Sequence, residues 1–289
     1  MKNFKVTILL FLFLFMFPFR GWADVAVGDM IITLGENLSE EQKNMLLSEM
    51  NAPDDAQIIT VSNAEEHQYL GNYVSKSLIG TRAISSSAIT IAEKNSGLEV
   101  ESNNINWVTD EMYINALITA GVKDAKIYIT APFEVSGTAA LTGIIKAYEV
   151  SADKAIPEEV KQAANEEMVK SAELGDEIGT ENATALITKI KEKMAANPPK
   201  TEADIRTIIE NAAKELGITL TDAQFQSLLD LFNKLKELNI DWNQVGDQLT
   251  VAKEKLTKYL ESEEGQGFLE SIKQFFINII DAIKALFSK

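Results

Sequence analysis

The run Ser136-Gly137-Thr138-Ala139-Ala140-Leu141-Thr142-Gly143 follows a stretch that reads as a strand and opens one that reads as a helix. Backbone N–H groups at such a turn can hold a phosphate or a carboxylate, and glycine lets a ligand approach closely. No Lys follows the second glycine, so this is not a Walker loop, and dinucleotide-binding spacing is absent too. Gly80-Thr81-Arg82 is a second candidate, because an Arg fork binds carboxylates and phosphates bidentately. If the two halves of the surrounding domain share a sheet, Arg82 and the turn Ser136, Gly137 and Thr138 converge on one anion. The plainer readings are a tightly packed helix start at Gly137 and a structural ion pair from Arg82 to one of many acids.

Other catalytic patterns fall short. Ser151-Ala152-Asp153-Lys154 satisfies S-x-x-K, but the accompanying S-D-N and K-T-G elements are missing, and there is no G-x-S-x-G. With no Cys and one His, thiol catalysis, thiolate zinc sites, multi-histidine metal sites and a Ser-His-acid triad drop out. His67 reads as a surface helix residue. Glu40/Glu41 and Glu158/Glu159 could in principle serve glycoside chemistry. Adjacent residues on a helix point apart, however, and acids in a first turn already suit the helix dipole. No residue is assigned a catalytic role, and no cofactor or metal is expected.

Near the C-terminus, Phe268, Leu269, Ile272, Phe275, Phe276, Ile279, Ile280, Ile283, Leu286 and Phe287 form one wide apolar face of a helix over 266–288. Lys273, Asn278, Asp281 and Lys284 lie opposite. Such a segment can close the protein's own core, lie in a membrane interface as a peripheral contact, or dock on a protein partner. Phe268, Ile272, Phe275, Phe276, Ile279, Ile283 and Phe287 are its candidate interaction residues.

The first 23 residues read as a secretory signal. Lys2 and Lys5 precede an apolar run from Val6 to Phe19, and Gly21-Trp22-Ala23 places cleavage before Asp24. Cleavage would remove Lys2, Lys5 and Arg20 and no acid, carrying the formal charge from −16 to −19. Such a field repels nucleic acid, and no basic patch is interleaved with aromatics. The excess acid is most simply read as solubility outside the cell.

Beyond the signal, two regions carry different periods. Over 24–153, strand and helix patterns alternate: strands at Met30–Leu34, Gln57–Val61 and Ala125–Ile129, and a hairpin turning at Asn95-Ser96-Gly97. Ser39 with Gln42 has capping-box spacing, and Thr109 caps a further helix. Leu38-Ser39-Glu40-Glu41 matches Val108-Thr109-Asp110-Glu111 in residue type, and Asp55-Ala56-Gln57-Ile58 matches Asp124-Ala125-Lys126-Ile127. These matches predict a pseudo-duplicated β-α-β domain with a mixed sheet, its two units related by a pseudo-twofold. Over 154–289 the strand signal vanishes and an all-helical domain is expected, with starts near Pro157, Thr201 and Thr221 and a break at Asn197-Pro198-Pro199.

Three strings carry a family resemblance: Gly80-Thr81-Arg82-Ala83-Ile84-Ser85-Ser86, Asn104-Ile105-Asn106-Trp107-Val108-Thr109, and Ala131 through Gly143, with Asn239-Ile240-Asp241-Trp242 downstream. Together they resemble an exported bacterial family catalogued as domain of unknown function 1002. The resemblance covers most of the mature chain. It implies an exported protein of mainly spore-forming and related Gram-positive bacteria, and it implies no reaction. The chain thus reads as an exported cell-envelope or extracellular protein of unknown activity, a non-enzymatic binding module whose partner is an envelope component or a protein. A scaffold attached through 266–288 and a carboxylate-dependent envelope hydrolase are the alternatives.

Overall fold

A computed structural model describes residues 27–70, 79–152 and 155–261. Apolar runs that alternate with capped helices build a five-stranded mixed sheet. The first half contains β1 (Met30–Gly35), α1 (Glu40–Glu49), β2 (Gln57–Val61), α2 (Asn63–Leu70), β3 (Ser86–Ile91), β4 (Leu98–Ile105), α3 (Asp110–Thr119), β5 (Ala125–Val135) and α4 (Thr138–Ala152). The capping box at α1 is present as its spacing requires: Ser39 Oγ accepts from Gln42 N–H, and the Gln42 side chain accepts from Ser39 N–H. Thr109 caps α3 in the same way through Met112 N–H.

The strand order is β2-β1-β3-β5-β4. β1 pairs parallel with β2 and β4 parallel with β5, while β3 lies antiparallel between the two pairs. Both expected β-α-β units are therefore present. The two pairs run in one direction and each unit steps the same way across the sheet, yet their helices lie on opposite faces. Leu46 and Met50 of α1 pack with Ile32 and Ala88 on one face. Met112, Ala116 and Leu117 of α3 pack with Ile31, Ile89, Ile127 and Ile129 on the other. The two crossovers consequently have opposite hands, and a rotation along β3 matches strand positions but exchanges first strand with second.

The expected hairpin is not formed. β5 sits between β3 and β4, and the loop at Asn95–Gly97 arches over its start. Gly97 N–H donates to Asp124 Oδ1 (3.0 Å) and Ala125 N–H donates to Gly97 O (3.2 Å). The reason is burial: Ile127 and Ile129 lie in the main core, so β5 takes an inner position. Past Thr130, β5 pairs only with β4, which makes Pro132 tolerable there. A bulge near Asn104 bends this two-stranded end, and Asn104 Nδ2 donates to Ala131 O (2.8 Å).

The second half is helical: α5 (Glu158–Ile178), α6 (Thr180–Ala196), α7 (Glu202–Glu215), α8 (Asp222–Glu237) and α9 (Trp242–Glu261). Thr201 with Asp204 and Thr221 with Gln224 form capping boxes at α7 and α8. Their apolar stripes make a core of their own around Ile187, Ile190, Ile209, Leu228 and Phe232. The main core nevertheless continues from the sheet through α3 and α4 into Ala164, Met168 and Ala172 of α5 and into Val245 and Leu249 of α9. The proposed signal 1–23, the amphipathic segment 266–288 and Asp153-Lys154 of the S-x-x-K match lie outside the described residues.

One feature of this junction has no counterpart in the apolar pattern. Lys191 of α6 and Glu167 of α5 are each 0% exposed and pair at 2.9 Å. Lys191 Nζ also donates to Asn115 O (2.6 Å) and Thr119 Oγ1 (2.7 Å) on α3, and Thr119 Oγ1 donates to Glu167 Oε2 (2.5 Å). Burial pulls the Lys191 ammonium below its ordinary pKa, against the opposing attraction of Glu167. Lys191→Met strands the Glu167 charge and should cost about 3–5 kcal/mol. Adding Glu167→Leu should recover most of that loss, as read from chemical-denaturation midpoints.

Candidate functional site

Arg82 sits on the segment between α2 and β3, whose main chain is tied on both sides. The His67 ring Nε2 lies 3.1 Å from Gly80 O, and Ala83 N–H donates to Asn37 Oδ1 (2.8 Å) while Asn37 N–H donates to Ala83 O (3.1 Å). Gly35 lets this segment pass close by, since a Cβ there would lie 2.5 Å from Ala83 O. His67 is thus on a helix as expected, half-buried and acting as a brace. Arg82 itself is exposed and has no ion-pair partner among the described residues. The structural ion pair considered for it is not formed.

The turn after β5 is fixed from behind. Val108 N–H donates to Ser136 O (3.2 Å), and the buried Tyr113 hydroxyl donates to Gly137 O (2.5 Å). Burial drives the Tyr113 phenol well above its ordinary pKa, so it remains a donor. Gly137 has φ +90°, and a Cβ there would lie 2.3 Å from Tyr113 Oη. Both the backbone and the packing therefore demand glycine. Ser136 Oγ and Thr138 Oγ1 lie 3.3 Å apart, and the first N–H groups of the 15-residue α4 follow directly.

These pieces meet. Arg82, Ser136, Gly137 and Thr138 all line one cavity of about 340 Å³, walled also by Ile79, Ile84, Ser85, Val135 and Ala139. The convergence follows from the sheet, because β3, which Arg82's segment enters, lies beside β5, which delivers the turn. A guanidinium, the N-terminus of a helix and hydroxyls around one cavity are the groups that would serve an anion.

Glu66 of α2 completes the wall, and sequence reasoning passed it over. It is 1% exposed, and Asn63 Nδ2 donates to its Oε2 (3.4 Å), but Oε1 has no partner among the described residues. A buried polar atom left in this way costs about 1–3 kcal/mol. Burial, only partly offset by Asn63, pushes the Glu66 carboxyl up to about 8. Its signal was present: Glu66 stands four residues before the buried Leu70, on the same helix face.

On the other side of α2, a cavity of about 150 Å³ holds Glu65, Lys146, Glu149 and Lys161. Here charges are matched: Lys146 pairs with Glu65 (2.6 Å), and Lys161 pairs with Glu149 and Glu158 (3.3 Å each). The acids weighed for glycoside chemistry behave similarly, with Glu158 held by Lys161 and Glu40 by Lys43. No group of three or more His, Asp or Glu suited to a metal occurs among the described residues, and no helix among them is long and apolar enough to cross a membrane.

Comparison with known proteins agrees in outline. A family model described as Protein of unknown function (DUF1002) matches residues 34–252, which includes every cavity residue named above. An uncharacterized protein of Bacillus subtilis (strain 168), YpuA, is 60% identical over 266 residues, covering 92% of each chain. No solved structure matches the chain.

The cavity's acid has a measurable signature. A glutamate with a raised folded-state pKa adds stability that is complete below the ordinary value of 4.5 and lost as pH rises through about 8. Glu66→Gln keeps the shape and removes the titration. Its melting temperature should match the parent near pH 5 and exceed it increasingly from pH 6 to 9. A difference that stays constant across that range would show that Glu66 is not held neutral.

Proposed function

The chain belongs to the family described as Protein of unknown function (DUF1002), and on that premise we propose that it is an exported, non-enzymatic module that binds an anionic group of an envelope component. The binding site is the cavity between α2 and the start of α4. One observation carries this reading: Arg82, exposed and without an ion pair among the described residues, shares that cavity with Ser136, Gly137, Thr138 and the N-terminus of a long helix. The helix dipole and its first N–H groups favour negative charge, and the guanidinium adds a planar fork for a carboxylate or phosphate.

Support for export comes from the N-terminal pattern, with two Lys, an apolar run and small residues before Asp24. The hydrolase alternative has less support. Among the described residues Glu66 is the one carboxylate around the larger cavity, and Glu65 and Glu149 of the smaller one are each engaged by Lys.

The test is binding of inorganic phosphate and of acetate to residues 24–289. Arg82→Ala should weaken binding roughly tenfold to a hundredfold, the equivalent of a lost charged hydrogen bond. Its melting temperature should stay that of the parent, because Arg82 has no ion-pair partner among the described residues. Unchanged affinity, or a variant that fails to fold, would remove the reading. In a Gram-positive host the secreted chain should begin at Asp24.

A further inference from the structure

We propose that Glu66 is a ligand-binding residue of this cavity, a neutral carboxylic acid whose Oε1 donates its proton in a hydrogen bond to a fully deprotonated oxyanion. The inference rests on the anion-binding reading above and specifies its chemistry.

The geometry supplies the argument. Glu66 is 1% exposed, lines the cavity and leaves Oε1 without a partner among the described residues, while Asn63 Nδ2 donates to Oε2. A carboxyl group whose one oxygen already accepts carries its proton on the other. Oε1 is then a donor with nothing to receive it, and buried donors are rarely left so. Arg82 and the first N–H groups of α4 are donors only, and the hydroxyls of Ser85, Ser136 and Thr138 can donate as well. A ligand rich in acceptors and free of protons, such as a sulfate, phosphodiester or carboxylate, satisfies all of them.

Charge around Glu66 favours the neutral form. On α2, Glu65 is engaged by Lys146, and His67 is engaged at Gly80 O. From α4 come Lys146, which pairs with Glu65, and Glu149, and from α5 come Glu158 and Lys161, with Lys161 pairing to both Glu149 and Glu158 around the other cavity. The 79–85 segment brings Arg82, which forms no ion pair with Glu66. No cation compensates it among the described residues, and burial keeps the carboxyl protonated up to about pH 8. An ionised Glu66 would both lose its donor and repel the anion. Oxyanion binding therefore requires the protonated acid and is released at alkaline pH.

Sulfate is the probe, because its charge is constant through this range. Affinity of residues 24–289 for sulfate should be level from pH 6 to 7 and roughly tenfold weaker at pH 9. In Glu66→Gln the amide N–H donates at every pH, so affinity at pH 7 should persist and the alkaline decline should vanish. A level parent profile, or the same decline in Glu66→Gln, overturns the role of Glu66. If Arg82→Ala still abolishes binding in that case, the cavity reading stands without it. Binding of glycine but of neither sulfate nor acetate would make Glu66 an acceptor for an ammonium group, and would overturn the inference. No binding of any of the three would overturn the cavity reading itself.

Discussion

Lys191 and Glu167 are both removed from water, and an ion pair so placed is stable only when its remaining protons and lone pairs are met. Here they are. The three ammonium protons of Lys191 go to Glu167 Oε1, Asn115 O and Thr119 Oγ1, and Thr119 returns a hydrogen bond to Glu167 Oε2. Ser171 Oγ adds a bond to Glu167 O. The network joins α3, α5 and α6, and any slide of one helix along another would leave a buried charge uncompensated. Apolar packing alone tolerates such slides more readily, so the pair sets register between the sheet-bearing half and the helical half.

That register reaches the candidate site through α3. Asn115 and Thr119 face the ion pair, while Tyr113, on the same helix, holds Gly137 O. The position of the turn before α4 is thus linked to the helical half by one rigid element. The opposite wall is held separately, by His67 and Asn37 on either side of Arg82. A site assembled from three separate stretches, around Glu66, Arg82 and Gly137, depends on such external fixing.

Electrostatics shape what the site can do. The chain carries 43 acidic against 27 basic residues, a field that opposes the approach of anions. Recognition of an oxyanion must then act at short range, through Arg82, helix N–H groups and a neutral Glu66, where screening beyond about 8 Å hides the distant acids. The neighbouring cavity shows the contrasting arrangement. There Glu65 and Glu149 have lysine partners, and burial of Glu65 is more than offset by Lys146 and Ser62, which hold its carboxyl below the usual range. Adjacent residues on α2 therefore differ in charge state because one faces a lysine and the other does not.

Much of this was legible in residue order alone. Capping signals at Ser39, Thr109, Thr201 and Thr221, apolar periods and the Gly-containing turn are local, and local backbone preferences specified the strands, the helix starts and the Ser136–Thr138 element. Arg82 and that turn were singled out for their chemistry. Their meeting depended on a shared sheet, which no local signal guaranteed. The strand order was not legible, because a turn at Asn95–Gly97 suits either a hairpin or an arch, and the choice went to the arrangement that buries Ile127 and Ile129 between neighbours. Glu66 and Lys191 were hidden for a related reason. Each occupies a helical position that the apolar stripe marks as inward, but a charged residue type argues for solvent. Only the packed structure decides whether such a group meets a partner, as Lys191 does, or keeps an unsatisfied oxygen in the wall of a cavity, as Glu66 does among the described residues.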